Sequence, residues 1–207
     1  METAIVLLGF ALVQLLAVAS PGPSFMLVAQ AAIGSGRRAG LAAALGTMLG
    51  ALAWAAAALF GLQALFARFE WLHLIMRIGG ALYLLYLAFM LWRHARDPMP
   101  EVAASAEAGS SWRSFRRALL LALSNPKIMV FFGSVFLSLL PADMPGWMAG
   151  LVLAIVAVNE FTWYALVTLL FSGSPARAVY RRAKVWLDRV MGGALALLGL
   201  RLALSDR

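Results

Sequence analysis

Two proline breaks interrupt apolar stretches long enough to cross a membrane, one early in each half of the chain. They read Ser20-Pro21-Gly22-Pro23-Ser24-Phe25 and Ser124-Asn125-Pro126-Lys127. A helix in lipid must satisfy its own backbone polar groups, so an interruption is tolerated only where it faces protein or water. A matched pair of interruptions in two halves of a chain is the best sequence pointer to a transporter's binding site.

The composition agrees with a membrane setting. The chain is 63% hydrophobic and only 13% charged, whereas a soluble domain carries roughly a quarter charged residues. This is the pattern of a polytopic, all-α membrane protein with no room for a large soluble domain. Cysteine is absent, which excludes a disulfide framework, a thiolate metal site and a Cys nucleophile. A net charge of +8 raises the question of nucleic acid, but its distribution assigns it to membrane topology. No nucleic-acid partner is expected. Ala17-Val18-Ala19 looks like a signal-peptide cleavage site, yet Met1-Glu2-Thr3 has no Lys or Arg and the apolar character resumes after Pro23. Residues 4–19 therefore read as part of the first span.

Six apolar segments are expected to span: 4–34 (broken at Pro21 to Pro23), 39–66, 71–92, 117–140 (broken at Pro126), 147–171 and 185–204. Each supplies the roughly 20 residues that a 30 Å hydrocarbon core requires. The basic residues then set orientation. One side collects Arg37, Arg38, Arg93, Arg96, Arg113, Arg116, Arg117, Arg177, Arg181, Arg182, Lys184 and Arg189; the other has Arg68, Arg77, Arg201 and Arg207. The positive-inside rule puts the richer side in the cytoplasm and both termini outside it. Residues 94–116 form a cytoplasmic linker, polar from His94 to Ser111, between a first three-helix repeat (1–93) and a second (117–207).

An internal repeat supports that division. Gly79-Gly80-Ala81-Leu82-Tyr83-Leu84-Leu85 recurs as Gly192-Gly193-Ala194-Leu195-Ala196-Leu197-Leu198, six of seven residues matching at an offset of 113, and the proline breaks recur at an offset near 104. Three spans per repeat make the halves inverted in the membrane, a 3+3 arrangement with broken helices 1 and 4. Gly22 lies roughly 22 Å of helix from the cytoplasmic end at Arg37, and Pro126 roughly 13 Å from Arg117. Both breaks are thus buried and bracket the middle of the core.

The candidate substrate-binding residues follow from the breaks. Pro21, Gly22 and Pro23 remove backbone donors and free upstream carbonyls. The half-helix starting near Ser24 offers unpaired N–H groups and a positive dipole end, which suits a carboxylate. Asn125, Pro126 and Lys127 repeat the device and add a cation. Kinks that serve packing alone are the bland reading for each motif singly; the matched pair with Lys127 favours a site. Lys127 in a span is expected to face a cavity or a partner rather than to snorkel. Glu160 reads as the only acidic residue inside a span, beside Asn159, and is the candidate proton-coupling group, a partner for Lys127, or a holder of a substrate amine. Tyr164 shares its helix face. Gly46 and Gly50 form a helix-packing face, for contact within the monomer in preference to a homodimer. His73 and His94 are isolated, so no metal is assigned. Ser24 lacks the partners of a catalytic nucleophile, and neither an enzyme nor a cofactor is expected.

The chain resembles the LysE/RhtB family of bacterial amino-acid exporters of the threonine, homoserine and lysine type. The likeness rests on Pro21-Gly22-Pro23-Ser24-Phe25, Ser35-Gly36-Arg37-Arg38-Ala39-Gly40-Leu41, Gly46 with Gly50, Asn125-Pro126-Lys127 with Phe131-Phe132, and Arg189 to Leu204. It implies an inner-membrane secondary exporter of amino acids or related small metabolites, driven by protons. Ser24 stands where the family often has Asn, and Ala51 where many members carry an acidic residue, which places more of the coupling on Glu160. Export of a metal cation and a non-transporting scaffold are the alternatives. One intramembrane carboxylate with no Cys and no placed His makes a divalent site poor.

Overall fold

The computed structural model describes residues 2–19, 22–61, 70–97, 110–140, 144–172 and 176–204. Among them there is no strand, and seven α-helices carry the fold: α1 (Glu2–Ala19), α2 (Pro23–Ala56), α3 (Glu70–His94), α4 (Ser111–Leu123), α5 (Pro126–Leu139), α6 (Gly146–Phe171) and α7 (Ala176–Leu204). A π-helical turn, Ala57–Gly61, extends α2.

Both expected breaks are present. At the first, Gly22 is extended (φ −158°) and Pro23 opens α2, where its fixed φ suits the first turn and its missing N–H costs nothing. The Met26 N–H then donates to Gly22 O at 3.0 Å. At the second, α4 and α5 meet at a bend of 54°. Asn125 caps α5, its side chain accepting from the Lys127 N–H at 3.0 Å. In an unbroken helix that N–H would bond Leu123 O. The Trp54 indole N–H donates to Leu123 O instead, at 3.1 Å, so the carbonyl freed by the proline is not left bare.

The expected loop between the first two spans is a single-residue turn. Gly36 has φ 83° and is the only described residue with positive φ, a conformation glycine adopts without a Cβ clash. A Cβ on Gly40 would lie 3.0 Å from the Ala32 Cβ, whereas a straight helix would separate these residues by about 12 Å. The helix therefore folds back on itself at Gly36. Arg37 and Arg38 are exposed just after the turn.

Side-chain contacts fix how the helices run. Ala11 and Gln14 meet Asn159 and Glu160, and further on Phe25 meets Phe171 edge-on at 5.5 Å. So α1 and the first arm of α2 continue in one direction along α6. The second arm runs beside α4: Gly46 faces the Phe115 carbonyl, Gly50 the Ala122 methyl, and Trp54 reaches Leu123. A Cβ at Gly46 would collide with backbone, so the small-residue face expected on this helix is used within the monomer. Helices α3 and α7 pack antiparallel, Ala81 and Leu85 against Gly199, Ala88 and Trp92 against Gly192.

By length and apolar character, Pro23–Gly61, Gly146–Phe171 and the bent pair Ser111–Leu123 with Pro126–Phe136 provide two or three spans among the described residues. The first of these is the element folded at Gly36. Two apolar cores result. One gathers Phe10, Leu84, Phe132, Phe136 and Leu195; the other gathers Phe25, Val28, Ala43, Tyr164 and Phe171.

Candidate functional site

The two breaks open onto one cavity. It is lined by Gln14, Ala17, Val18, Gly22, Pro23, Ser24, Asn125, Lys127, Ile128, Phe131, Phe132, Glu160 and Tyr164. The lining draws on both cores, with Ala17, Phe131 and Phe132 from the first and Val18 and Tyr164 from the second. The cavity thus lies at the seam between two packing units.

Most residues singled out by sequence converge here. Gly22, Pro23 and Ser24 come from the first break, Asn125 and Lys127 from the second, and Glu160 with Tyr164 from one face of α6. The i to i+4 spacing places those two side chains on one side of the helix. Pro126 is exposed and shapes the bend without lining the cavity. Pro21 lies outside the described residues.

The electrostatics are unusual for lipid depth. Glu160 is 5% exposed. Lys127 is half-buried, and the carboxylates of Glu160 and Asp188 act on its ammonium. Lys127 and Glu160 nevertheless form no ion pair within 4.0 Å. One basic and one acidic side chain therefore face the same cavity without bonding each other. On the acidic side Glu160 Oε2 and Gln14 Oε1 have no hydrogen-bond partner, and neither does the Ser24 hydroxyl. All three residues are nine-tenths or more buried.

The two half-helix starts differ. In the first turn of α5, Pro126 has no N–H, the Lys127 N–H is capped by Asn125, and the Ile128 N–H donates to Asn125 O at 3.1 Å. The start of α2 carries no side-chain cap. Lys127 is therefore the donor that the second break presents, while α2 keeps an open amino-terminal end beside Ser24.

Three residues depart from the sequence expectation. Gln14 is fully buried and donates through Nε2 to Glu160 Oε1 at 3.4 Å; the sequence reading passes over it, though a Gln within an apolar helix is the signal available. Trp54 satisfies the second break from another helix, a pairing no local pattern encodes. Asp188 is 3% exposed, so Glu160 is not the only buried acid within a helix. Asp188 already falls within the expected sixth span, 185–204, and α7, which begins at Ala176, holds it well inside the helix. Among the described residues no group of acidic, His or Cys side chains is placed to hold a metal ion.

Comparison with known proteins gives a consistent picture. A family model described as LysE type translocator matches residues 15–206. A threonine efflux protein of Salmonella typhi is 36% identical over 198 residues, covering 94% of this chain and 96% of that protein. The threonine efflux protein of Escherichia coli K12 is 35% identical over the same length. A leucine efflux protein of Enterobacter sp. strain 638 is 30% identical over 184 residues, covering 86% of this chain and 83% of that one. No solved structure matches significantly.

Proposed function

The chain belongs to the LysE type translocator family, also known as LysE/RhtB, and is a multi-pass membrane transporter; from that premise we propose that it exports amino acids or closely related zwitterions from the cytoplasm. The observation that carries this reading is the convergence of both proline breaks, Lys127 and Glu160 on one cavity. A zwitterion fits a cavity with a cation on one wall and a carboxylate on the other. Its carboxylate lies toward Lys127 and the uncapped start of α2, where a charge-assisted contact and the helix dipole both favour an anion. Its amine lies toward Glu160. Phe131, Phe132 and Ile128 offer an apolar wall for the side chain.

The path across the membrane follows from a six-span, 3+3 inverted arrangement. In support of it, the two copies of the repeated glycine-containing stretch sit at the antiparallel crossing of α3 and α7. The turn at Gly36 with its exposed arginines, the end of α3 and the start of α4 are the cytoplasmic connections, in a bacterial inner membrane with both termini on the far side. Since the cavity straddles two cores, a rocking of one core against the other exposes it alternately to each side, the common behaviour of inverted-repeat transporters.

Proton coupling is assigned to Glu160. A carboxylate that is ionised with substrate bound and protonated on the return step biases the two states by its differential interactions in each. Inverted vesicles energised with a pH gradient test the whole reading. Labelled threonine or leucine should accumulate inside the vesicles, and collapse of the gradient should stop it. Vesicles with the protein that accumulate no more amino acid than vesicles without it would sink the exporter assignment.

A further inference from the structure

Gln14 has no assigned role, yet it is the most completely enclosed polar side chain of the cavity wall, at 0% exposure. Its amide is oriented by Glu160: the Nε2 donates to Glu160 Oε1 at 3.4 Å. That contact leaves Gln14 Oε1 and Glu160 Oε2, two acceptors, without partners in the same cavity. Buried acceptors left unpaired are disfavoured by desolvation, and a ligand that brings donors removes that cost. A primary ammonium carries three N–H donors and no acceptor, which suits two neighbouring oxygens on an acidic wall.

We propose that Gln14 and Glu160 form a clamp for the substrate's primary ammonium, with Gln14 Oε1 and Glu160 Oε2 as its acceptors. The inference rests on the exporter reading and adds a selectivity to it: the site rejects solutes that share the carboxylate but lack the amine. A site built to hydrogen-bond a group discriminates strongly against the analogue lacking it, because its own polar atoms are then left unpaired. Gln14 has a second, structural duty. By holding Oε1 of Glu160 it keeps Oε2 turned to the ligand.

The test is a binding comparison on the purified full-length protein in detergent, by calorimetry. L-threonine is paired with α,β-dihydroxybutyrate and L-leucine with α-hydroxyisocaproate, so each pair differs only in amine against hydroxyl. The wild type should prefer the amine by about 10-fold or more. In Gln14→Leu that preference should fall toward one, because the amine loses more affinity than the hydroxy acid. Equal wild-type affinities for the two members of a pair overturn the clamp and leave the exporter reading standing. Failure of the wild type to bind either amino acid overturns both. A Gln14→Leu protein that loses amine and hydroxyl ligands equally shows a merely structural glutamine and also overturns the clamp. An oxygen set could instead hold a sodium ion. Stabilisation of the wild type by sodium chloride over choline chloride without any amino acid, lost in Gln14→Leu, would decide for that ion and against the clamp. If Gln14→Leu does not fold, Gln14→Met, of similar length and without the amide, takes its place in the same comparison.

Discussion

The two proline breaks look alike in sequence and are finished differently in the fold. The second is closed by the protein itself: Asn125 caps α5, and Trp54 takes the carbonyl that Lys127 would have bonded. The first is left open. No side chain caps α2, and around it stand the unpaired oxygens of Gln14, Ser24 and Glu160. The contrast teaches that a break in lipid has two uses. One sets Lys127 on a backbone whose polar groups are paired; the other leaves unpaired oxygens around an uncapped helix start, which the proposed function gives to a ligand.

The largest expected effect on that contrast is at Glu160. Glu160→Gln keeps the shape of the open side and removes its charge. Uphill export driven by a pH gradient should be abolished, while exchange of labelled for unlabelled amino acid at equal pH persists. Uphill export at the wild-type rate breaks the division of labour. Next comes Lys127→Ala on the closed side. Losing a charge-assisted contact of about 1.5–3 kcal/mol should weaken amino-acid affinity roughly 10- to 100-fold. Titration of the detergent-purified variant reads this directly, and an unchanged Kd would show that the anion sits elsewhere.

Smaller effects separate binding from bracing. Asn125→Ala removes the cap of α5 and should cost about 1 kcal/mol of stability, seen as a lower Tm in detergent. Gly22→Ala at the uncapped first break removes no such bond and should lower the Tm less; the opposite order would erase the distinction between the breaks. Trp54→Phe keeps the ring and leaves Leu123 O without its donor, a loss of about 1 kcal/mol or less at this exposed contact. Its Tm should fall slightly while substrate affinity stays at the wild-type value.

Much of this was legible in the sequence, because lipid imposes few but strict rules. A proline inside an apolar run frees backbone groups wherever it stands, so the breaks declare themselves. A lysine or glutamate at depth needs a reason, which singled out Lys127 and Glu160, and helical spacing placed Tyr164 beside Glu160. What escaped depends on the residue across the way. The use of Trp54 is visible only once the second arm of α2 lies on α4. Gln14 reads as an ordinary polar residue until Glu160 is opposite it. Asp188 falls inside the expected span 185–204, so the sequence does hold a second acid at depth; its burial shows only once α7 is packed. At Gly36 the paired arginines mark a connection, but not that one glycine makes all of it.

That one-residue turn has a mechanical consequence. Ala32 lies against Gly40 across it, so the arm that starts at the open break and the arm seated on α4 through Gly46 and Gly50 are one continuous lever-shaped element. Its short end stands beside Ser24, and its long end lies on the helix that stops at the closed break. The two breaks are thereby braced by a single stretch of chain.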